Sequence, residues 1–182
     1  MAVRDIVRYG QPILKKACQP VTDLSRLTSL VPDMFDTMYE AEGIGLAANQ
    51  IGVNLNVMVI DVTHTEEAEE PFVFVNGAIL ERGGEEVLEE GCLSLPEIRL
   101  RVKRPEWIRF KYQTMEGESQ TRVFKGLLGR AIQHEMDHLQ GILIIDRVSK
   151  LERLKYQNQL RKIQQEAHRV SPAKSAEKPF VL

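Results

Sequence analysis

The six residues Gln133-His134-Glu135-Met136-Asp137-His138 constrain the fold of this chain more than any other stretch. Two histidines four apart lie one above the other on one face of an α-helix. There both imidazoles can bind one divalent ion, and the glutamate beside the first can take a proton from water activated by it. Of the four histidines, His64, His134, His138 and His168, two fall in this motif. The same spacing also arises by accident on ordinary polar helix faces, so the motif alone does not make a metal site.

Two ligands do not hold a catalytic metal; three protein ligands and a water are needed. The usual protease solutions fail here. The third histidine of a three-histidine pattern would fall at position 144, where Ile144 stands. The nearest downstream glutamate, Glu152, lies in a lysine- and arginine-rich segment that suits a solvated role. That leaves the two cysteines. Cys18 has no distinguishing context. Cys92 follows Gly91 and is shortly followed by Pro96, which places it at a strand end or tight loop. A small buried hydrophobe is the plain alternative for it. As a ligand, it would complete a soft, open site of one cysteine and two histidines with room for a water.

A further cluster is the run Gly43-Ile44-Gly45-Leu46-Ala47-Ala48-Asn49-Gln50. It has neither G-x-G-x-x-G nor G-K-[ST], and it precedes an apolar run rather than opening a helix, so a phosphate loop is excluded. Its small residues suit a backbone that must come close to an extended substrate. The Gln50 amide offers an N–H donor for an oxyanion; the plainer alternative is a loop amide tying the turn to the next strand.

Taken together, Gly43 to Gln50, then Glu90-Gly91-Cys92-Leu93-Ser94, then Gln133 to His138 resemble the three motifs of the peptide deformylase family, in that family's order and with compatible spacing. The resemblance spans about residues 5 to 165. It implies a hydrolase that removes the N-terminal formyl group from N-formylmethionine on newly made proteins. By the resemblance, Cys92, His134 and His138 are the metal ligands and Glu135 is the general base. The Gln50 amide and the Leu93 backbone N–H are the oxyanion donors. It further implies a methionine slot lined by Ile44, Val87, Leu127 and Ala131, with Glu89 and Arg99 at its polar edge. Backbone groups of Ile44, Gly45 and Gly91 would pair with the peptide like an added strand. Arg130 departs from relatives in which that pocket-wall position is apolar. The resemblance favours Fe(2+) in the cell, with Ni(2+), Co(2+) or Zn(2+) as substitutes. Two rivals are an H-E-x-x-H metallopeptidase of ordinary specificity and a non-catalytic structural metal module. The first has no need of Cys92; the second wants a fourth protein ligand, and none is evident.

The remaining sequence sets bounds. With 24 basic and 26 acidic residues, the net charge of −2 excludes a generally basic nucleic-acid binder, so no specific DNA is expected. Two cysteines without a pairing pattern fit a reducing compartment. No apolar signal core opens the chain, and no stretch approaches ~18 apolar residues. A cytoplasmic protein without membrane contact is expected. The layout predicts an α+β fold, with short antiparallel or mixed strands around a central metal-binding H-E-x-x-H helix and with an N-terminal and a C-terminal helix.

Apolar residues from Leu24 to Met38 recur every three or four positions, which predicts the N-terminal helix, either kinked at Pro32 or starting near it. Strands are expected at residues 56–61, 71–80, 98–102, 107–112 and 120–124. The metal helix should run from Gly126 to Leu139 and stop at Gly141. Residues 149–169 form a last helix candidate. Eight Lys or Arg face three Glu between Lys150 and Lys178, read either as a solvated helix or as docking to ribosomal RNA. Residues 1–170 are expected to form one catalytic domain and 171–182 a flexible tail.

Overall fold

The computed structural model describes residues 2–169, so the expected tail at 171–182 lies outside the described residues. It joins mixed helices to antiparallel sheets. The order is α1 (Leu27–Glu40), β1 (Gly45–Ala47), β2 (Val57–Ile60), β3 (Phe72–Gly83), β4 (Glu86–Cys92), β5 (Leu95–Arg104), β6 (Trp107–Gln113), β7 (Ser119–Lys125), α2 (Gly126–Leu139), α3 (Lys150–Lys155) and α4 (Gln157–Arg169). One sheet has the order β1-β2-β3-β6-β7; β4 and β5 form a separate hairpin. Among the described residues these strands pair antiparallel, and one isolated parallel bridge joins Gln19 to Leu55.

Strand β2 reads Val-Met-Val-Ile without alternation because both of its faces are covered. Val57 and Val59 join the α1 cluster with Leu30, Met34 and Met38. Met58 and Ile60 join the α2 cluster with Phe74, Ile132 and Met136. Phe74 anchors that second layer, with Tyr112, Phe110 and Phe124 edge-on to it at 4.7–5.6 Å between ring centroids. Helix α2 turns Leu128, Ala131, Ile132, Met136 and Leu139 onto these rings. Its N-cap residue Lys125 makes no side-chain cap. Four of these buried side chains, Leu128, Ile132, Met136 and Leu139, contribute about 1.5–3 kcal/mol each, so packing holds the helix in place. The helix ends as expected, with Gly141 at φ +75°.

Strand β4 was not among the strands expected from the sequence, and other elements settle or change that reading. α1 does not begin at Pro32: it starts at Leu27 and carries the proline inside. The segment 149–169 is two helices, capped at the start by Ser149 Oγ and interrupted at Tyr156, whose hydroxyl donates 2.9 Å to the Arg99 carbonyl. The small-residue run contains a true strand, β1, followed by a 3-10 turn from Ala48 to Ile51. The N-terminal segment braces that turn from behind: Val7 N–H donates to Gln50 O at 2.7 Å, and Tyr9 N–H to Ser94 O at 2.9 Å.

Candidate metal centre

Three pieces of backbone meet at the site: the edge strand β1, the end of the β4–β5 hairpin and the middle of α2. Cys92 is the last residue of β4, where the register slips between Gly91 and Cys92 and the chain turns into β5. His134 and His138 lie one turn apart on α2, their ring centroids 5.1 Å apart. Cys92 Sγ is 3.2 Å from His138 Nε2. One donor atom from each of Cys92, His134 and His138 lies within 4.8 Å of the others, the one such cluster among the described residues.

The electrostatics favour a cation between these atoms. Burial keeps His138 neutral, with the charge of His134 acting in the same direction, so its lone pair is available to a metal. Burial opposes a charge on His134, but its contacts with Cys92 and Glu90 override that and draw positive charge to this point. A thiol with two imidazoles is a donor set that a divalent transition metal fits. Burial pushes Glu135 up to about 7, against the opposing pull of His134 and Arg104. Its Oε2 is buried without a hydrogen-bond partner. A carboxylate held dry, with one oxygen unpaired and a pKa near neutral, is what a general base requires.

The sequence reading missed what stands behind the ligands. Glu90 Oε2 takes a hydrogen bond from His134 Nδ1 at 3.0 Å, which leaves Nε2 for a metal. The same carboxylate receives Arg104 Nε and Nη2 at 2.6 and 2.9 Å, and Arg130 Nη1 at 2.8 Å. Arg104 also donates to Asp137 at 2.9 Å, and Asp137 is held further by Arg147. Removing one member of such a buried network costs about 3–5 kcal/mol. The available sequence signal was the alternation on β5, where Leu100 is buried; Glu90 pairs with it and shares its inward face. Arg130 therefore does not shape the pocket with its stem alone. Its guanidinium joins α2 to the hairpin through Glu90 and through the Glu86 and Val102 carbonyls.

Gln50 is buried and fixed at both ends. Its Oε1 accepts the Ala47 N–H at 2.9 Å, and Nε2 donates to Ser94 Oγ at 3.2 Å, leaving a second N–H. Leu93 sits in the turn between β4 and β5. Gly45 leaves room for the base. A Cβ on it would stand 2.6 Å from Glu135 Oε1. Ile44 and Leu127 are half-buried against the α2 cluster, and Ala131 is buried within it. The Ile44 carbonyl is already taken by the Asp61 N–H at 2.9 Å, so it is not free for a peptide. By strand alternation, the polar groups of the next residue, Gly45, point away from β2 to the open edge of the sheet. At Gly91, a Cβ would meet the Arg99 guanidinium at 3.2 Å.

Register divides the β4 side chains between two faces of the hairpin. Val87 pairs with Lys103 and Glu89 with Arg101, residues that are exposed on β5. Leu88 pairs with Val102 and Glu90 with Leu100, which are buried. Val87, Glu89 and Arg99 thus share the outer face of the hairpin. Leu88 is on the inner face with Glu90, 44% exposed and facing no core of its own. Cys18 stays apart from the site; burial pushes its thiol up to about 11, which makes it inert.

The chain matches the family model described as Polypeptide deformylase over residues 3–154. It is 46% identical over 165 residues to a peptide deformylase of Acidobacterium capsulatum, covering 90% of this chain and 97% of that one. The structure is similar to that of a peptide deformylase from Legionella pneumophila, at 38% identity and a TM-score of 0.83, covering 93% of this chain and all of that one. It is likewise similar to that of the peptide deformylase from Thermus thermophilus, at 39% identity and a TM-score of 0.84, covering 91% and 99% of the two chains.

Proposed function

The chain belongs to the peptide deformylase family, metal-dependent hydrolases that remove the formyl group from the N-formylmethionine of nascent proteins, and we propose that Cys92, His134 and His138 hold the metal for that reaction. The observation that carries the assignment is the meeting of one thiol and two imidazoles beside the buried carboxyl of Glu135, one oxygen of which has no partner. A divalent ion bound there supplies Lewis acidity, polarising the formyl carbonyl and bringing the pKa of a water near neutrality. We take the ion to be Fe(2+) in the cell, with Ni(2+), Co(2+) or Zn(2+) as substitutes.

Glu135 takes the proton from the attacking water and delivers it to the leaving amine of methionine. The oxyanion that forms at the formyl carbon is met by the free N–H of Gln50 and by the Leu93 backbone N–H, donors worth about 3 kcal/mol each in comparable sites. Glu90 orients His134 and keeps its Nε2 toward the ion. The peptide extends between two open strand edges. Gly45 on β1 supplies backbone groups on one side and Gly91 on β4 on the other, with Arg99 beside Gly91 at the rim. The methionine side chain enters between Ile44, Leu88, Leu127 and Ala131. In this reading α2 is the central metal-binding helix, and residues 1–170 act as one catalytic domain. The direct test compares formyl-Met-Ala with Met-Ala-Ala in anaerobic buffer: the formyl group alone should be cleaved. Cleavage of the unformylated peptide would support an ordinary metallopeptidase instead.

The C-terminal helix supports docking to ribosomal RNA. α4 buries Leu160, Ile163 and Ala167 and leaves Arg161, Lys162 and Arg169 exposed. Reversing the charge of Arg161 and Lys162 should weaken ribosome co-sedimentation in a salt-dependent way and leave peptide kinetics unchanged. No helix among the described residues is long and apolar enough to cross a membrane.

A further inference from the structure

Helix α2 begins without a cap of its own. Lys125 at the N-cap makes no side-chain hydrogen bond, and Gly126 follows at φ +64°. The missing cap comes from sixty residues away. Glu67, on the loop of residues 61–71 between β2 and β3, accepts the Leu127 N–H on Oε1 at 3.0 Å and the Leu128 N–H on Oε2 at 2.8 Å. The fit depends on glycine: a Cβ at position 126 would lie 2.6 Å from Glu67 Oε1. A carboxylate across two free amides at a helix N-terminus combines hydrogen bonding with a favourable dipole.

The loop that carries Glu67 starts at one wall of the methionine slot and is fastened at the other. Its first residue, Asp61, donates its N–H to the Ile44 carbonyl at 2.9 Å. Glu67 then holds the first turn of α2, where Leu127 stands. Next to Glu67, Ala68 packs on the same core cluster as Ile44 and Leu127. We propose that Glu67 is a positioning residue that latches loop 61–71 to α2 and thereby sets the width of the methionine slot. It touches neither the metal ligands nor the base, which lie two turns further along α2. Its removal therefore acts on side-chain binding rather than on chemistry. The proposal rests on the assignment of Ile44 and Leu127 to the slot.

The test uses Glu67→Ala and Glu67→Gln in the metal-loaded full chain. Glu67 is on the surface, so both variants should fold and keep full metal content. For formyl-Met-Ala, KM should rise about fivefold in Glu67→Ala with kcat within about twofold, the equilibrium weight of one lost cap. Preference for formyl-Met-Ala over formyl-Ala-Ala and formyl-Phe-Ala should narrow. Glu67→Gln, which keeps one acceptor oxygen, should fall between. Amide exchange at Leu127 and Leu128 should accelerate in Glu67→Ala while that from Ile132 onward is unchanged. Unaltered exchange at Leu127 and Leu128 would overturn the latch. Accelerated exchange with unaltered KM and selectivity would overturn its role in the slot. A wild-type chain with full metal and no action on formyl-Met-Ala would instead refute the slot assignment, and the exchange data would still decide the latch.

Discussion

Gly45 and Glu135 occupy one continuous volume: the place where residue 45 would carry a Cβ is filled by the carboxylate of the base, 2.6 Å away. The glycine is thus required by the packing of α2, whatever a peptide at this edge would add. Gly45→Ala should push Glu135 off its position, because a buried carboxylate against a strand has little room to yield. We expect metal content to be kept and kcat to fall at least about tenfold, since small misplacements of a catalytic group are costly. Glu135→Gln, which preserves shape and cannot accept the proton, should lose at least about a hundredfold at matched metal content. A Gly45→Ala enzyme with wild-type kcat would show that the base does not need this space.

Cys92 and Cys18 form an internal control for the ligand set. Cys92 stands 3.2 Å from His138 Nε2, whereas the Cys18 thiol is half-buried and pushed up to about 11 by burial. Cys92→Ala should lose both bound metal and activity. Cys18→Ala should keep both, at a packing cost below about 2 kcal/mol. Metal per chain, measured by elemental analysis on each purified variant, decides this; full occupancy in Cys92→Ala would remove the thiolate from the site.

The grouping of Cys92, His134 and His138 could be picked out in the sequence because helical spacing and a glycine-flanked cysteine are local signals. So could the antiparallel core, since Ile98, Leu100 and Val102 alternate with Arg99, Arg101 and Lys103. What stayed hidden depends on pairing. Glu90, Arg104, Arg130 and Asp137 are charged residues of the kind usually found at the surface, yet they are buried because they neutralise one another across β4, β5 and α2. No single-residue pattern reveals that. Which of the two readings of Pro32 holds, inside α1 or at its start, was undecided for a related reason. Packing of Leu27, Leu30, Val31, Met34 and Met38 offsets the one backbone hydrogen bond that proline removes.

The exchange of Val87 for Leu88 follows from the same lesson, since a strand slipped by one residue reverses every side chain. Leu88→Ala should raise KM for formyl-Met-Ala about tenfold, as most of the apolar contact on that wall is lost. Val87→Ala, on the outer face with Lys103, should leave KM within about twofold. Steady-state kinetics on the pair settles which face carries the slot, and the reverse order of effects would restore Val87.

Asp33 gives the fold a measurable acid dependence. Its carboxylate is held below the ordinary range by the Arg4 side chain first, then by the Ala2 N–H, which donates at 2.8 Å. These contacts tie the N-terminal segment to α1, and that segment in turn braces Gln50 and Ser94. A carboxylate with a lowered folded pKa contributes stability that is complete above its unfolded value, about 3.9, and is lost as pH falls through the folded value. Asp33→Asn cannot carry the charge, so it should melt roughly 3–6 °C lower than wild type near pH 6.5, the effect of a charged hydrogen bond in a domain of this size. The gap should narrow below about pH 4 and close once Asp33 is protonated in both states. Acid also strips the metal, but both chains share that loss and it cancels in the difference. A gap that stays constant from about pH 6.5 down to about pH 2.5 would mean that Asp33 acts through shape alone.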